Sequence, residues 1–234
     1  MSNPIGYCNE TLNPARGCVC VSPGCQHCYA RTMTQRFGKE EKAWDGTIRL
    51  QLHTLNRIGH WRKRRVCFLG DMTDLFQKDM PPHVIIETLA RVRTAPQHIF
   101  LFLTKRPERM WQRLREEPVL SNVWCGATCE DQTRLVERAP HMAALAKSGW
   151  HTWASCEPLL GILDWSQVTW RPRWIVIGGE NGTGARKMFP GWAQRAAIPG
   201  VPLWFKGWGS AFQPCGPGTM LQLPRERPWL STRT

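Results

Sequence analysis

The sequence predicts an α/β fold whose parallel strands form a partial or full (β/α) TIM-like barrel, with a doubly wound sheet as the alternative. Three observations carry that expectation. Six or seven short apolar runs alternate with amphipathic segments along the 234 residues. Charged and polar residues gather immediately after those runs, where the strands of a parallel sheet would end. Near the N-terminus, Cys18, Cys20, Cys25 and Cys28 crowd into eleven residues, a density that packing alone does not ask for.

Strands are expected at 66–69, 99–103, 123–127, 151–154, 174–177 and 202–205, with a further short one at 48–52. Each is a continuous run rich in Val, Ile, Phe or Trp, the composition of a strand covered on both faces. Helices are expected at 30–37, 82–94, 107–116, 132–147 and 192–197. Pro82 and Pro107 suit the first turns of the second and third, because proline lacks only an N–H that a first turn leaves unpaired. One domain is expected over 1–209, followed by a loosely packed extension over 210–234 that is rich in Pro, Gly and Arg.

The chain holds 31 basic and 18 acidic residues, a formal charge of +13. A partner carrying many phosphates rewards such an excess more than a small anion does. Arg62, Lys63, Arg64 and Arg65, next to Arg57, form the densest cluster and are candidates for nucleic-acid contact; Arg171, Arg173, Arg225, Arg227 and Arg233 are dispersed. A solvated basic surface would look the same. Among the 13 tryptophans, those flanking arginines can stack bases, although most tryptophans of a folded domain pack in its core. No apolar run is long enough to cross a bilayer and no signal peptide is evident, so a reducing cytoplasm and no membrane partner are expected.

In the cysteine run, Pro23 and Gly24 supply a turn that lets Cys18 or Cys20 approach the Cys25-x-x-Cys28 pair. Three sulfurs with a vacant fourth position suit an iron–sulfur cluster that holds a substrate on its open iron. A zinc site borrowing a distant ligand and a disulfide or inert thiols are the alternatives. After the apolar runs come Asp71 and Asp74, then Thr104-Lys105-Arg106, Thr128-Cys129-Glu130-Asp131, Ser155-Cys156-Glu157, Gly178-Gly179-Glu180-Asn181 and Lys206. In a parallel sheet all of these converge on one mouth.

Several of these motifs together resemble a phage-associated three-cysteine protein family of unassigned function. They are Cys18-x6-Cys25-x2-Cys28-Tyr29-Ala30, Leu103-Thr-Lys-Arg-Pro-Glu-Arg109, Val123-Trp-x-Gly-Ala-Thr-x-Glu-Asp131, Ser155-Cys-Glu-Pro-Leu-Leu-Gly161, Trp174-Ile-Val-Ile-Gly-Gly-Glu180 and Phe205-Lys-x-Trp-Gly209. The resemblance runs from about Asn13 to Gly209. That family is more distantly similar to radical SAM enzymes of the spore photoproduct lyase type. The resemblance implies a [4Fe–4S] cluster on Cys18, Cys25 and Cys28, with Cys20 a bystander. It also implies S-adenosyl-L-methionine on the open iron, an electron donor such as flavodoxin or ferredoxin, and a 5′-deoxyadenosyl radical. The gap of six residues after Cys18, where that enzyme type has three, departs from the pattern, although closing a slightly longer loop costs little.

On this reading Gly178, Gly179 and Glu180 contact the methionine end of S-adenosyl-L-methionine. Glu130 or Asp131 fixes a ribose hydroxyl, with Asp71 in the same cofactor-facing set. Lys105 and Arg106 neutralise a carboxylate or phosphate, and Cys156, beside Glu157, donates hydrogen to a substrate radical, the alternative being a small buried residue beside Pro158. The basic surface, the tryptophans and the phage association favour a nucleobase substrate, in nucleic acid or as a nucleotide precursor, in a bacterial host or phage-infected cell. Two rivals belong to other classes: a zinc-stapled nucleic-acid-binding module, and a metal-dependent nuclease built on Asp71, Asp74, Glu130, Asp131 and Glu157.

Overall fold

A computed structural model describes residues 5–37, 46–211 and 224–230. Arg233, and the parts of the expected C-terminal extension at 212–223 and 231–234, lie outside the described residues.

The strands are β1 (Glu10–Leu12), β2 (Ala15–Arg16), β3 (Arg49–Leu50), β4 (Val66–Leu69), β5 (Ile99–Thr104), β6 (Val123–Thr128), β7 (His151–Cys156), β8 (Ile175–Gly178) and β9 (Leu203–Gly207). The helices are α1 (Tyr29–Phe37), α2 (Pro82–Arg93), α3 (Pro107–Leu114), α4 (Gln132–Lys147) and α5 (Pro190–Ala196). Seven strands form one sheet in the order β1-β4-β5-β6-β7-β8-β9, and every neighbouring pair in it is parallel. The spatial order never reverses, so the sheet is singly wound and curls into a half-barrel. A doubly wound sheet needs a reversal of strand order, and that alternative is excluded. The strand expected over 48–52 shrinks to Arg49–Leu50, which pairs antiparallel with β2 in a separate two-stranded ribbon, and a 3₁₀ helix follows over Leu52–His60.

The two faces of the sheet are packed differently. The helix side buries Leu, Ile, Val, Met and Ala from β4 to β9 against α2 to α5. The concave side is filled by Tyr7, Phe68, Leu101, Trp124, Trp153, Trp174, Val176, Trp204 and Trp229. Trp153 lies across the neighbouring strand, its indole N–H shared between the Phe102 carbonyl (3.1 Å) and the Trp124 carbonyl (3.3 Å). That pose depends on Gly126, where a Cβ would stand 2.3 Å from the Trp153 ring. Most of the tryptophans thus serve packing: Trp170 and Trp174, both next to arginines in sequence, are buried, and Trp61 and Trp111 pack partly buried on the helix-side core.

Within the expected extension, residues 224–226 are exposed but bonded to β9, and Trp229 is buried. Phe205 N–H donates to the Pro224 carbonyl (2.9 Å) and Glu226 N–H to the Leu203 carbonyl (2.7 Å), so the segment runs along the outer edge of β9. A strand edge left bare would be a template for aggregation, and this strap covers it. Trp229 then inserts against Trp124 and Trp174, with ring centroids 5.6 and 4.8 Å apart, near the N-terminal ends of the strands. Among the described residues, no helix is long and apolar enough to cross a membrane.

Candidate functional site: a cysteine loop over the mouth of the half-barrel

The cysteine loop leaves β2 at Gly17, makes one 3₁₀ turn at Pro23–Cys25 and enters α1 at Tyr29. Gly17 has φ +98°, and a Cβ there would sit 2.0 Å from the Thr47 carbonyl oxygen, so only glycine lets the loop depart from the ribbon. The loop lies over the C-terminal ends of the strands and is tied to them. The Thr73 hydroxyl and the Gln77 amide donate to the Gly17 carbonyl (2.6 and 2.7 Å). The Arg106 guanidinium donates to the Val19 carbonyl (2.8 Å) and that of Arg186 to the Pro23 carbonyl (2.9 Å). Gly24 is buried on Glu130, whose Oε1 would stand 3.1 Å from a Cβ at that position.

Beneath the loop is a cavity of about 250 Å³, close to the lower end of ligand-pocket volumes. Cys18, Cys25 and Cys28 border it, whereas Cys20 is exposed and does not. Its floor is Tyr7, Phe68 and Leu103, and Asp71, Lys105, Ser155, Glu157, Asn181 and Lys206 supply polar groups. Lys206 Nζ stands 3.0 Å from a Glu157 oxygen, and Lys105 Nζ donates to the Thr128 hydroxyl at 3.3 Å. The Tyr29 hydroxyl donates to Asp71, 2.9 Å from Oδ2, and Asn13 holds Oδ1 of the same carboxylate at 2.6 Å. Both tyrosines of the chain line this cavity.

Electrostatics separates the cysteines. Burial pushes the Cys25 thiol up, but the Lys105 ammonium and hydrogen bonds from Val21 and Ser22 outweigh it and hold it below the usual thiol range. Burial, with Asp74 adding, pushes Cys18 up to about 11 against the pull of Arg106. Cys20 is also raised, by burial and by the nearby Cys25. The Tyr7 phenol is held well above its usual value by burial and by Glu157, so it stays protonated at neutral pH.

Not all the residues singled out in the sequence reach the cavity. Asp71, Lys105, Glu157, Gly179 and Glu180 border it with the three cysteines. Cys156 is fully buried in the helix-side core, because β7 turns alternate side chains to opposite faces and its neighbour Ser155 takes the cavity side. Asp131 caps α4, accepting from Arg134 N–H at 2.8 Å, and is occupied in that role. Glu130 is fully buried beside Arg138, 2.6 Å away; burial raises its carboxyl, but Arg138 and Lys105 prevail and keep it below the usual range. A Cβ on Gly179 would stand 2.0 Å from the Trp208 carbonyl oxygen, and one on Gly209 would stand 2.3 Å from that of Glu180. The paired glycines therefore serve the close approach of two backbones, which joins the Gly-Gly-Glu and Lys-x-Trp-Gly motifs.

Glu180 itself is held through both oxygens by Arg186, so it is not free for a methionine ammonium. Asp74 is likewise engaged by Arg106 at 2.8 Å and by the Thr104 hydroxyl at 2.7 Å. Of the five acids a two-metal nuclease would use, Asp74, Glu130 and Asp131 are committed within the protein. Arg62, Lys63, Arg64 and Arg65 precede β4 and so lie at the opposite end of the barrel from the cavity. Arg65 is partly neutralised by Glu10 (3.7 Å), while the other three are exposed. Tyr7 and the partner arginines 138 and 186 escape the sequence reading; the scarcity of tyrosine was the one available signal for the first.

Among the described residues, no three His, Cys, Asp or Glu side chains converge closely enough to hold a single metal ion. A cluster differs from an ion in that each thiolate binds its own iron, so its sulfurs border a space instead of meeting at one atom. Cys18, Cys25 and Cys28 all border the cavity.

The fold is similar to that of spore photoproduct lyase. A single mutant of that enzyme aligns with a TM-score of 0.55 at 10% sequence identity, over 81% of this chain and 60% of the other. A double mutant with bound AdoMet and dinucleoside spore photoproduct aligns at 0.53 and 10%, with the same coverage. The chain therefore spans 60% of the length of these structures, and at such identity the likeness concerns the fold. No curated protein shows significant similarity to the chain. Residues 2–220 match a family described as protein of unknown function DUF5131, and the chain belongs to that family.

Proposed function

We propose that the protein is an iron–sulfur enzyme of radical SAM type that modifies or repairs a nucleobase, in nucleic acid or in a nucleotide precursor. The observation that carries this reading is the placement of Cys18, Cys25 and Cys28 around one cavity at the C-terminal mouth of a parallel half-barrel. A [4Fe–4S] cluster with S-adenosyl-L-methionine would supply reductive cleavage to a 5′-deoxyadenosyl radical, with an electron from a donor such as flavodoxin or ferredoxin. The remaining work falls to side chains on the cavity. Lys105 favours the Cys25 thiolate that a cluster needs as ligand. Asp71, fixed by Tyr29 and Asn13, offers an acceptor for a hydroxyl or ammonium.

Ser155, Glu157 and Lys206 present a donor, an acceptor and a cation on the wall facing the loop, a set that suits the polar edge of a base. The Tyr7 and Phe68 rings and Leu103 supply an apolar floor that excludes water beneath it. Cys156 has no route to this space, so a hydrogen-donor role for it falls away. Domain-wide support comes from the fold, since spore photoproduct lyase holds AdoMet and a dinucleoside photoproduct on a similar frame.

Anaerobically purified or reconstituted protein is expected to be brown, with several equivalents of iron and sulfide, and to convert S-adenosyl-L-methionine to 5′-deoxyadenosine and methionine once reduced. Colourless protein that binds one zinc ion per chain would refute the proposal in favour of the zinc-stapled module. Iron and sulfide without 5′-deoxyadenosine, in the presence of nucleotide and oligonucleotide candidates, would leave an iron–sulfur protein of another kind.

A further inference from the structure

The strand-end charges that look like ligand contacts in the sequence hold something else. Asp74 and Glu180 are buried carboxylates, 7% and 4% exposed, and each orients an arginine whose remaining N–H reaches a carbonyl of the cysteine loop. Arg106, itself 8% exposed, spans Asp74 and the Val19 carbonyl, both at 2.8 Å. Arg186 spans both oxygens of Glu180 and the Pro23 carbonyl at 2.9 Å. Val19 follows Cys18, and Pro23 precedes Cys25 by two residues. The two guanidinium groups therefore grip the loop on either side of its turn, from strand ends on different sides of the mouth. Between them Gly24 rests on Glu130, which is held in turn by Arg138. A planar guanidinium suits this bridging because its N–H groups diverge in a fixed fork, so that one ion meets a carboxylate and a carbonyl together. A lysine ammonium offers no such fork.

We infer that Arg106 and Arg186 are positioning residues that set the cysteine loop in its ligating shape before any cluster binds. Arg106 governs the Cys18 side and Arg186 the Cys25–Cys28 side. The inference rests on the reading of the loop as a cluster site, but it makes a claim about the metal-free chain that can be judged by itself. Loop residues fixed in advance need not be ordered by the incoming cluster, so retention of the cluster is stronger and its insertion meets a smaller entropic penalty.

The test uses Arg106→Lys, Arg186→Lys and Glu180→Gln in the full chain, with far-UV circular dichroism and melting curves to establish folding. In metal-free protein kept anaerobic, alkylation by iodoacetamide is followed residue by residue. The single tryptic peptide 17–31 carries Cys18, Cys20, Cys25 and Cys28, and its fragmentation reads all four. Exposed Cys20 is the internal reference. Arg106→Lys is expected to raise the Cys18 rate constant roughly tenfold, the equivalent of one charged hydrogen bond, and to leave Cys25 and Cys28 nearly unchanged. Rates are taken across pH and expressed per thiolate, because Arg106 also favours the Cys18 thiolate. Arg186→Lys and Glu180→Gln should do the converse. A general loosening of the fold would raise all of them together, and that result, or unchanged rates in folded variants, overturns the inference.

Should Arg106→Lys fail to fold, Arg186→Lys, whose side chain is 32% exposed, carries the same test. In a second arm, reconstituted wild type and variants are challenged with an iron chelator. The variants should lose iron roughly tenfold faster, as expected for one lost bond per clamp, and equal rates overturn the inference. Wild type that takes up no cluster defeats the functional reading instead, leaving the alkylation pattern to decide on the clamps.

Discussion

The two ends of the half-barrel solve opposite problems with the same kinds of residue. At the C-terminal mouth, buried carboxylates are matched by arginines, Asp74 with Arg106, Glu130 with Arg138 and Glu180 with Arg186, and a cavity remains. At the N-terminal end, Trp124, Trp174, Trp204 and Trp229 close the interior, and Arg62, Lys63 and Arg64 stand exposed around the plug. Charge at the mouth is spent on internal order, because a buried ion left unpaired costs several kcal/mol. Charge at the base faces water, where leaving it unpaired costs little and a phosphate-bearing partner can use it. The comparison teaches that charge density alone does not mark a ligand site; the pairing state does.

The comparison breaks most decisively at the cysteines. Cys25→Ala and Cys28→Ala should each abolish iron and sulfide retention, since two thiolates cannot hold a cluster that needs three. Cys20→Ala should keep both, its side chain being off the cavity. Iron and sulfide analysis after gel filtration decides; a requirement for Cys20 with Cys18 dispensable would reverse the ligand assignment. Stability should be insensitive to all three substitutions, because the loop adds little to the core.

The opposite dissociation is expected at Trp153, which packs behind the plug on Trp174. Trp153→Ala should destabilise by about 3–5 kcal/mol, the usual cost of emptying a large buried ring, read as a shift of the denaturation midpoint. The cavity mouth, built by different side chains, should retain its cysteine reactivity at temperatures where the variant is folded. Loss of the loop's protection in a folded Trp153→Ala protein would show that the two ends are not independent.

These two ends were unequally legible in the sequence. Strands β4 to β9 announce themselves as apolar runs, and α2, α3 and α4 begin and end within a few residues of expectation, since periodicity marks all three and a proline opens α2 and α3. Strand β1 is three residues long with Glu10 and Thr11 in it, too short and polar to show a pattern. At the site, clustering at one mouth was readable because a parallel sheet forces strand ends together. What each acid does there was not. Arg106 is adjacent to its own strand, but Arg138 lies two turns along α4 and Arg186 in the loop after β8, and only side-chain reach in the folded state selects those partners. Cys156 misled because sequence places it at a strand end, while the alternation of the pleat decides which face it takes.

Acid should weaken the mouth before the base. The Glu130 and Glu180 carboxyls both lie below their usual range, the first through Arg138 and Lys105 against burial, the second through Arg186 against burial. A carboxyl depressed on folding stabilises the protein fully above its unfolded value near 4.5. It loses that contribution as pH falls through the lower folded value. Melting temperature should therefore drop as pH is lowered below about 4.5, the usual carboxyl value. Glu180→Gln should be less stable than wild type at neutral pH and should show a shallower acid decline. A parallel decline in both proteins would mean that the Glu180–Arg186 pair contributes no pH dependence.

The smallest effect is expected at the base of the barrel, and it bears on the substrate. Arg62, Lys63 and Arg64 are exposed and lie opposite the cavity, so they cannot touch a base bound beneath the cysteine loop. If the substrate is a polymer, it can reach them only by running along the outside of the domain, and each phosphate they neutralise releases a counterion. Replacing all three by glutamine should then lower the salt dependence of oligonucleotide affinity by at most about 3 in the log–log slope. Iron content and turnover of a mononucleotide should be unaffected. Arg65→Gln should change the slope less, because Glu10 already lies beside it. Binding isotherms at several salt concentrations, with polymer and mononucleotide compared, separate the cases. An unaltered slope would make the basic end an ordinary solvated face, and equal, salt-insensitive binding of polymer and mononucleotide would leave the free nucleotide as the substrate form.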